Sequence, residues 1–287
     1  IMPQNREIAR RFTSRETIEG AGVRLRRAFG FSELPFFDPF LMLDDFRAER
    51  PEDYLAGFPW HPHRGIETVT YMLAGRVEHG DSMGNAGSVD AGSVQWMTAG
   101  SGIIHQEMPK PVNGAMGGFQ LWVNLPSRTK MMDPRYQEIP ADRIPVVRAG
   151  NDVMVKVICG SFGEVTGPVR DIIADPAFLD VTVPPGARFG VKVREGYTVF
   201  AYVIGGGGVF DGSEAGVTDH DLVLFSDGDR ILATAIGTRP FRFLLVSGKP
   251  IREPVAWRGP IVMNTEEELS QAFREYRDGM FVRAAKG

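Results

Sequence analysis

The chain has 287 residues, of which 43% are hydrophobic and 24% charged, and a formal net charge of −4. That acidic balance disfavours a duplex-binding surface. The single cysteine, Cys159, excludes an intrachain disulfide and suits a reducing compartment, and no apolar run reaches the length of a membrane span.

Residues 7 to 29 alternate short apolar and charged stretches, with glycine at 20 and 22. This predicts strands at a sheet edge. Their arginines (Arg10, Arg11, Arg15, Arg24, Arg26 and Arg27) together with Arg6 could form a basic arm for a partner. Charged guards on exposed strand edges are the simpler reading. Ile1 to Phe12 contains no apolar stretch of the secretory kind, so a cytoplasmic protein is expected.

An apolar run, Phe40 to Leu43, gives way to an acidic, proline-containing loop that ends near residue 57. From Glu67 to Leu125 the pattern is short strands broken by glycine, the strongest being Thr68–Leu73 and Phe119–Leu125. Regular short strands with no long helix predict a β-barrel or sandwich. Residues 126 to 150 are rich in Pro, Arg and Asp and are expected to form a linker with at most one helical turn. Strands then resume to about residue 248. Near the end, Thr265 and Glu268 have capping-box spacing, and Leu269, Ala272, Phe273 and Tyr276 make one apolar helical face. With Gly279 as the stop, a helix is predicted over about 265–278.

The two halves overlay as a repeat. Thr68–Gly75 matches Thr198–Gly205 at an offset of 130, and Met97–Gly100 lies over Phe225–Gly228 at an offset of 128. Carried along, His61 and His63 fall on Val191 and Val193, and His105 and Glu107 on Ala233 and Ala235. A shift of a residue or two leaves the conclusion unchanged, because His220 is the only histidine of the second half. The expected organisation is two copies of one β-domain, residues 1–135 and 136–287, with chemistry only in the first and the terminal helix in the second.

That chemistry lies in His61-Pro62-His63 and His105-Gln106-Glu107. The chain has five histidines, and three stand here, each two residues from another histidine or a glutamate. Residues two apart on a strand face the same way, so two such pairs on neighbouring strands would bring three imidazoles and a carboxylate to one point. A buried cluster of that kind is costly without a cation. Three nitrogens and one oxygen suit Fe, Mn, Co, Ni, Cu or Zn, and the lack of thiolates argues against a closed structural zinc site. Glu67 is either a ligand in place of Glu107 or a partner that holds an imidazole. Trp96, Met97, Gln120 and Trp122 are candidates for a cavity wall. Ordinary β-core serves equally well for each.

Several stretches together resemble the pirin family of the cupin superfamily. They are Asp38-Pro39-Phe40-Leu41, His61-Pro62-His63-Arg64-Gly65, Gln95-Trp96-Met97-Thr98-Ala99-Gly100, His105 with Glu107-Met108-Pro109, Leu121-Trp122-Val123-Asn124-Leu125 and Gly259-Pro260-Ile261-Val262-Met263-Asn264-Thr265. The resemblance implies an all-β fold of two tandem cupin domains. It implies one iron, Fe(II) favoured, held by His61, His63, His105 and Glu107, with Glu67 outside the ligand set and a metal-free second cupin. Thr98 replaces the proline usual in the general cupin motif, in keeping with pirins.

Two functions follow from the resemblance. One is a dioxygenase that opens a flavonol such as quercetin with O₂, in which Glu107 takes the substrate's hydroxyl proton. The other is a redox-sensitive iron protein that binds a protein partner. A hydrolase or isomerase using the same ligands is a third reading of the residues. No direct nucleic-acid contact or membrane association is expected, and a monomer suffices, because two cupins in one chain can pack on each other.

Overall fold

A computed structural model describes residues 4–211, 213 and 215–283. The chain is mostly β and forms two compact units, neither of them continuous in sequence. The first comprises Arg15–Leu34, Phe40–Ala141 and Ile251–Gly287, and the second Ile1–Ser14, Pro35–Pro39 and Asp142–Pro250. A single cut at 135/136 does not describe this. The strand Ile8–Thr13 belongs to the second unit, where it pairs with Asp221–Phe225, and the terminal helix belongs to the first.

In the first unit a seven-stranded antiparallel sheet runs in the order Arg135–Ile139, Val94–Thr98, Ile66–Ala74, Gly117–Asn124, Phe40–Asp45, Val23–Phe29, Arg15–Glu19. A four-stranded sheet runs Phe58–His63, Ile103–Lys110, Arg76–Asp81, Ala86–Asp90. Inward residues of both sheets, among them Met72, Val77, Val89 and Leu25, share one core. Alternation along each strand puts every second side chain there.

The second unit repeats this topology position for position. Its long sheet runs Ile8–Thr13, Asp221–Phe225, Thr198–Gly205, Phe241–Gly248, Ala177–Val183, Val153–Cys159, Val146–Ala149. Its short sheet runs Arg188–Lys192, Arg230–Ala235, Gly207–Phe210, Val217–Thr218. The repeat read from the sequence is therefore a repeat of fold. The stretch expected to be a linker contributes two strands, Arg135–Ile139 and Val146–Ala149, each closing one long sheet. Proline and charge masked them, since both are edge strands with one free ladder side.

Ladder register refines the overlay. His105 faces His61, and Ala233 faces Phe189; Ile103 faces His63, and Ile231 faces Val191. The counterparts of His61 and His63 are thus Phe189 and Val191, two residues earlier than the sequence overlay places them. The difference comes from the longer connection after Lys192, where the histidine-bearing unit turns in Arg64-Gly65. Apolar side chains still stand where the histidines would be.

The helix spans Glu266–Arg277, with Thr265 as its N-cap. The Thr265 hydroxyl accepts from the Glu268 N–H, and the Glu268 carboxylate accepts from the Thr265 N–H. Leu269 and Ala272 are buried against Ile261, Met263 and Phe281 within the first unit. The N-terminal arginines are mostly absorbed by ion pairs. Arg11 meets Asp221, Arg15 Glu33, Arg24 Asp53, Arg26 Glu16 and Arg27 Asp44. Arg6 is buried and donates to the carbonyls of Gly228, Tyr197, Ser226 and Arg194. Cys159 is a buried thiol. Among the described residues no helix is long and apolar enough to cross a membrane.

Candidate metal centre

The strand Phe58–His63 and the strand Ile103–Lys110 are hydrogen-bonded neighbours, and their pairing sets His61 opposite His105. His61 and His63 project to one side because they are two apart. The ligand atoms of His61, His63 and His105 all lie within 4.8 Å of one another. His61 Nε2 is 3.1 Å from His63 Nε2 and 2.9 Å from His105 Nε2. His63 and His105 are buried, and His61 is half-buried toward the cavity mouth.

The tautomers of two of these rings are fixed by the backbone. His61 Nδ1 lies 2.8 Å from the Pro59 carbonyl oxygen, and His63 Nδ1 lies 3.1 Å from that of Pro260. A carbonyl only accepts, so each Nδ1 carries the hydrogen. A neutral imidazole has one N–H, which leaves both Nε2 atoms as bare lone pairs facing each other. One proton on His105 Nε2 can satisfy its contact with His61, but the contact between His61 and His63 remains lone pair against lone pair. Two nitrogens held at right angles by one ion at about 2.1 Å would sit about 3.0 Å apart, which matches both spacings. The donor set therefore fits a cation.

Burial keeps His63 and His105 neutral and so able to ligate. Burial pushes His63 well below the ordinary histidine range. His61 and His105 add to the effect, and the Pro260 carbonyl opposes it. Burial likewise pushes His105 down to about 4, against the opposing charges of Glu107 and Asp81.

Glu107 is buried but is not part of the three-imidazole group. The ladder slips between His105 and Glu107, so Glu107 faces Phe58 rather than Pro59. Its carboxylate accepts hydrogen bonds from Thr70 Oγ1 at 3.2 Å and from Gln120 Nε2 at 3.1 Å. Its charge nonetheless bears on His105, which places it beside the cluster.

A cavity of about 740 Å³ opens onto His61 and His63. Its wall is aromatic: the Trp122 ring meets the His63 ring edge-on at 5.1 Å, Trp257 packs on Trp122 at 5.8 Å, and Phe31 packs on Trp257 at 5.6 Å. Gln120, Met42 and the Arg27–Asp44 ion pair supply the rest of the floor. Burial outweighs Arg27 at Asp44 and raises that carboxyl to about 6.

Profiles of two protein families match the chain: pirin over residues 22–123, and the pirin C-terminal cupin domain over residues 178–282. A pirin-like protein of Caulobacter vibrioides is 45% identical over 272 residues, 92% of this chain and 95% of that one. A Pseudomonas aeruginosa protein, provisionally named quercetin 2,3-dioxygenase, is 43% identical over 285 residues, 97% of this chain and 99% of that one.

The chain belongs to the pirin family.

A crystal structure named as quercetin 2,3-dioxygenase from Acinetobacter baumannii superposes on this pirin with a TM-score of 0.88 at 30% identity, over 97% of this chain and 99% of that one. Both halves of the present molecule are thus cupins, as their matching topology requires.

The remaining candidates divide by strand parity. Gln120 and Trp122 line the cavity. Trp96 does not. It pairs with Val69, on the opposite face from Thr70, and is buried there. Glu67 lies on that same far face, where Thr98 Oγ1 donates to it at 2.7 Å. The Trp96 indole N–H faces this carboxylate without good hydrogen-bond geometry. Burial raises the Glu67 carboxyl. Glu67 thus braces two strands, and its hydrogen bond goes to Thr98 rather than to an imidazole. Met97 shares the inner face but packs with Ala99, Ile103 and Tyr136, away from the cavity. Sequence reasoning missed Phe31 and Trp257 as wall residues. Pro260, quoted only as part of a family stretch, turns out to orient His63.

Around the cluster, Arg64 and Gly65 lock the strand end. The Arg64 guanidinium donates to the Ser101 carbonyl at 2.7 Å, to Glu275 at 2.7 Å and to the Phe281 carbonyl at 2.8 Å. Gly65 sits at φ +80, and a Cβ there would lie 1.9 Å from the Val262 oxygen. Lys130, buried, donates to the Gly65 carbonyl and to Asn124.

Proposed function

We propose that this pirin is an iron-dependent dioxygenase that opens a flavonol such as quercetin. The observation that carries the reading is the meeting of three imidazoles, their Nε2 atoms turned together, with an aromatic-walled cavity of about 740 Å³, a size that suits a flat aromatic substrate. His61, His63 and His105 would hold Fe(II), with the Glu107 carboxylate as the fourth donor. When bound, the ion would lower the pKa of a coordinated hydroxyl and offer positions for that oxygen and O₂.

The chain's own residues account for the other tasks. The Pro59 and Pro260 carbonyls hold His61 and His63 in the tautomer that presents Nε2. Glu107 takes the hydroxyl proton, and the Gln120 amide and Thr70 hydroxyl hold its carboxylate in place. Trp122, Trp257 and Phe31 offer flat faces and edges to the substrate rings. Their burial of the substrate also limits water at the reacting carbons.

The partner-binding reading looked to the arginine-rich N-terminus. Those arginines are largely taken up by ion pairs within the fold, which weakens a basic arm as a docking element. A cytoplasmic setting fits the single buried thiol.

The test is reconstitution with Fe(II) under anaerobic conditions, followed by quercetin and oxygen, with carbon monoxide measured. Release that disappears in His105→Ala supports the assignment. Full iron occupancy with no turnover of quercetin refutes that substrate. Metal uptake unchanged in His61→Ala refutes the site itself.

A further inference from the structure

The second cupin has lost its ligands but kept its cavity. A pocket of about 530 Å³ opens entirely within the second unit. Its position can be compared with the metal-side cavity through ladder register. Counting back from the turn glycines Gly75 and Gly206, both at positive φ, places Thr68 over Val199 and Thr70 over Ala201. Trp122 pairs with Thr68 and Met42, and Ser247 pairs with Val199 and Ala177. Gln120 pairs with Thr70 and Asp44, and Leu245 pairs with Ala201 and Leu179.

The five wall positions His63, Trp122, Gln120, Met42 and Asp44 therefore correspond to Val191, Ser247, Leu245, Ala177 and Leu179. The first five line the metal-side cavity and the second five line this one. Three of the replacements, at His63, Gln120 and Asp44, turn a polar or charged side chain into an aliphatic one, and the bulky Trp122 becomes the small Ser247, which keeps the space open. These five floor positions thus offer no imidazole or carboxylate to a metal. The Ser247 hydroxyl is the one polar group these substitutions introduce, and no described residue hydrogen-bonds to it.

The mouth is cationic. Arg170, Lys192 and Arg194 stand on it with Asp171 and Asp175. Asp175 is already engaged by Arg194 and by the Tyr197 hydroxyl. Lys192, adjacent to Val191, is exposed and makes no ion pair among the described residues. An apolar floor beneath an unpaired ammonium selects one kind of ligand. We infer that the second cupin binds a small amphipathic organic carboxylate. Its apolar body rests on Val191, Leu179 and Leu245, and its carboxylate sits at Lys192 beside Arg170.

The experiment is calorimetric titration of 3-phenylpropanoate into the full chain with EDTA present, so that no metal in the first cupin can take the carboxylate. One saturable site with a dissociation constant of about 10 μM to 1 mM is expected. Lys192→Glu, on the surface, should weaken it by about tenfold or more, and the neutral amide of the probe should be weaker by a similar factor. Ser247→Trp, which restores the bulk of the other half, should abolish binding, while Trp122→Ala should leave it unchanged. Absence of saturation at about 10 mM probe overturns the inference. So does binding that survives Lys192→Glu, that does not distinguish acid from amide, or that is lost in Trp122→Ala. Should Ser247→Trp fail to fold, the Lys192→Glu and amide comparisons decide the matter alone.

Discussion

Arg64 stands between His63 and Gly65, and its replacement tests how the histidine-bearing strand is held. The side chain is 2% exposed and its partner Glu275 15% exposed. Its charge is taken by two backbone carbonyls and that carboxylate, and its guanidinium lies 4.2 Å over the Phe281 ring. Burial lowers the Arg64 pKa while Glu275 opposes the effect. Arg64→Met keeps the length and apolar stem but removes every donor. Hydrogen bonds to a charged group contribute about 1.5–3 kcal/mol each, and breaking a buried pair costs about 3–5 kcal/mol. The terms share one side chain and do not add, and Glu275 can recover some solvation, so a loss of about 3–4 kcal/mol is expected.

Urea unfolding followed by circular dichroism measures this directly. Arg64→Lys should recover little of it, because an ammonium cannot reach three acceptors set in a planar fork. The same variants should load iron more weakly, since the turn that aims His63 loses its anchor to the helix. A loss below about 1 kcal/mol, the scale of an exposed pair, would refute the view that Arg64 is a structural hub.

Gly65→Ala should destabilise by several kcal/mol and express poorly, since its Cβ would meet the Val262 carbonyl and the residue would be held at φ +80; a melting curve like that of the parent would contradict this. Anaerobic addition of Fe(II) at about a hundredfold over its dissociation constant should stabilise the fold by about 2.7 kcal/mol, seen as a raised melting temperature that EDTA reverses and His61→Ala removes. Trp257→Ala should raise KM for a flavonol by about 3- to 10-fold with a smaller change in kcat, measured by steady-state kinetics, because it removes one aromatic pair from the wall. Burial pushes Lys130 from 10.5 down to about 7, so the folded chain holds fewer protons than the unfolded one between those values. The stability this contributes is full above 10.5 and is lost as pH falls toward 7, and Lys130→Met should flatten that part of the urea midpoint against pH.

The sequence revealed most where a local period was enough. His61, His63 and His105 were legible because period two on neighbouring strands forces convergence, and the helix because its cap and its apolar stripe are local signals. Parity also held the answers to Trp96 and Glu67, but only once the turn at Gly65 was known to reset which face is inward. Glu107 was harder, since the slip between His105 and Glu107 breaks the parity its pairing with His105 assumed. Phe31 lies in a three-residue 3-10 turn and Trp257 in the three-residue strand Ala256–Arg258, both too short to carry a periodicity that would announce them. The exchange of chain ends between units was invisible because Ile8–Thr13 reads as a strand whichever sheet receives it.

The two cupins together separate what the fold needs from what the chemistry needs. Both keep the same strand order, the same turn glycines and a cavity at the same register. Converging imidazoles are therefore not required to build the sandwich, because Phe189, Val191 and Ala233 fill the same places with apolar contacts. Burial makes protonation of His63 and His105 costly, and the carbonyls of Pro59 and Pro260 turn two bare nitrogens toward each other. A purely structural core has no use for that arrangement, and the aliphatic half shows that this chain can do without it. The cost is retained only in the half whose cavity is walled with Trp122, Trp257 and Phe31, which is where a cation and an aromatic substrate would meet.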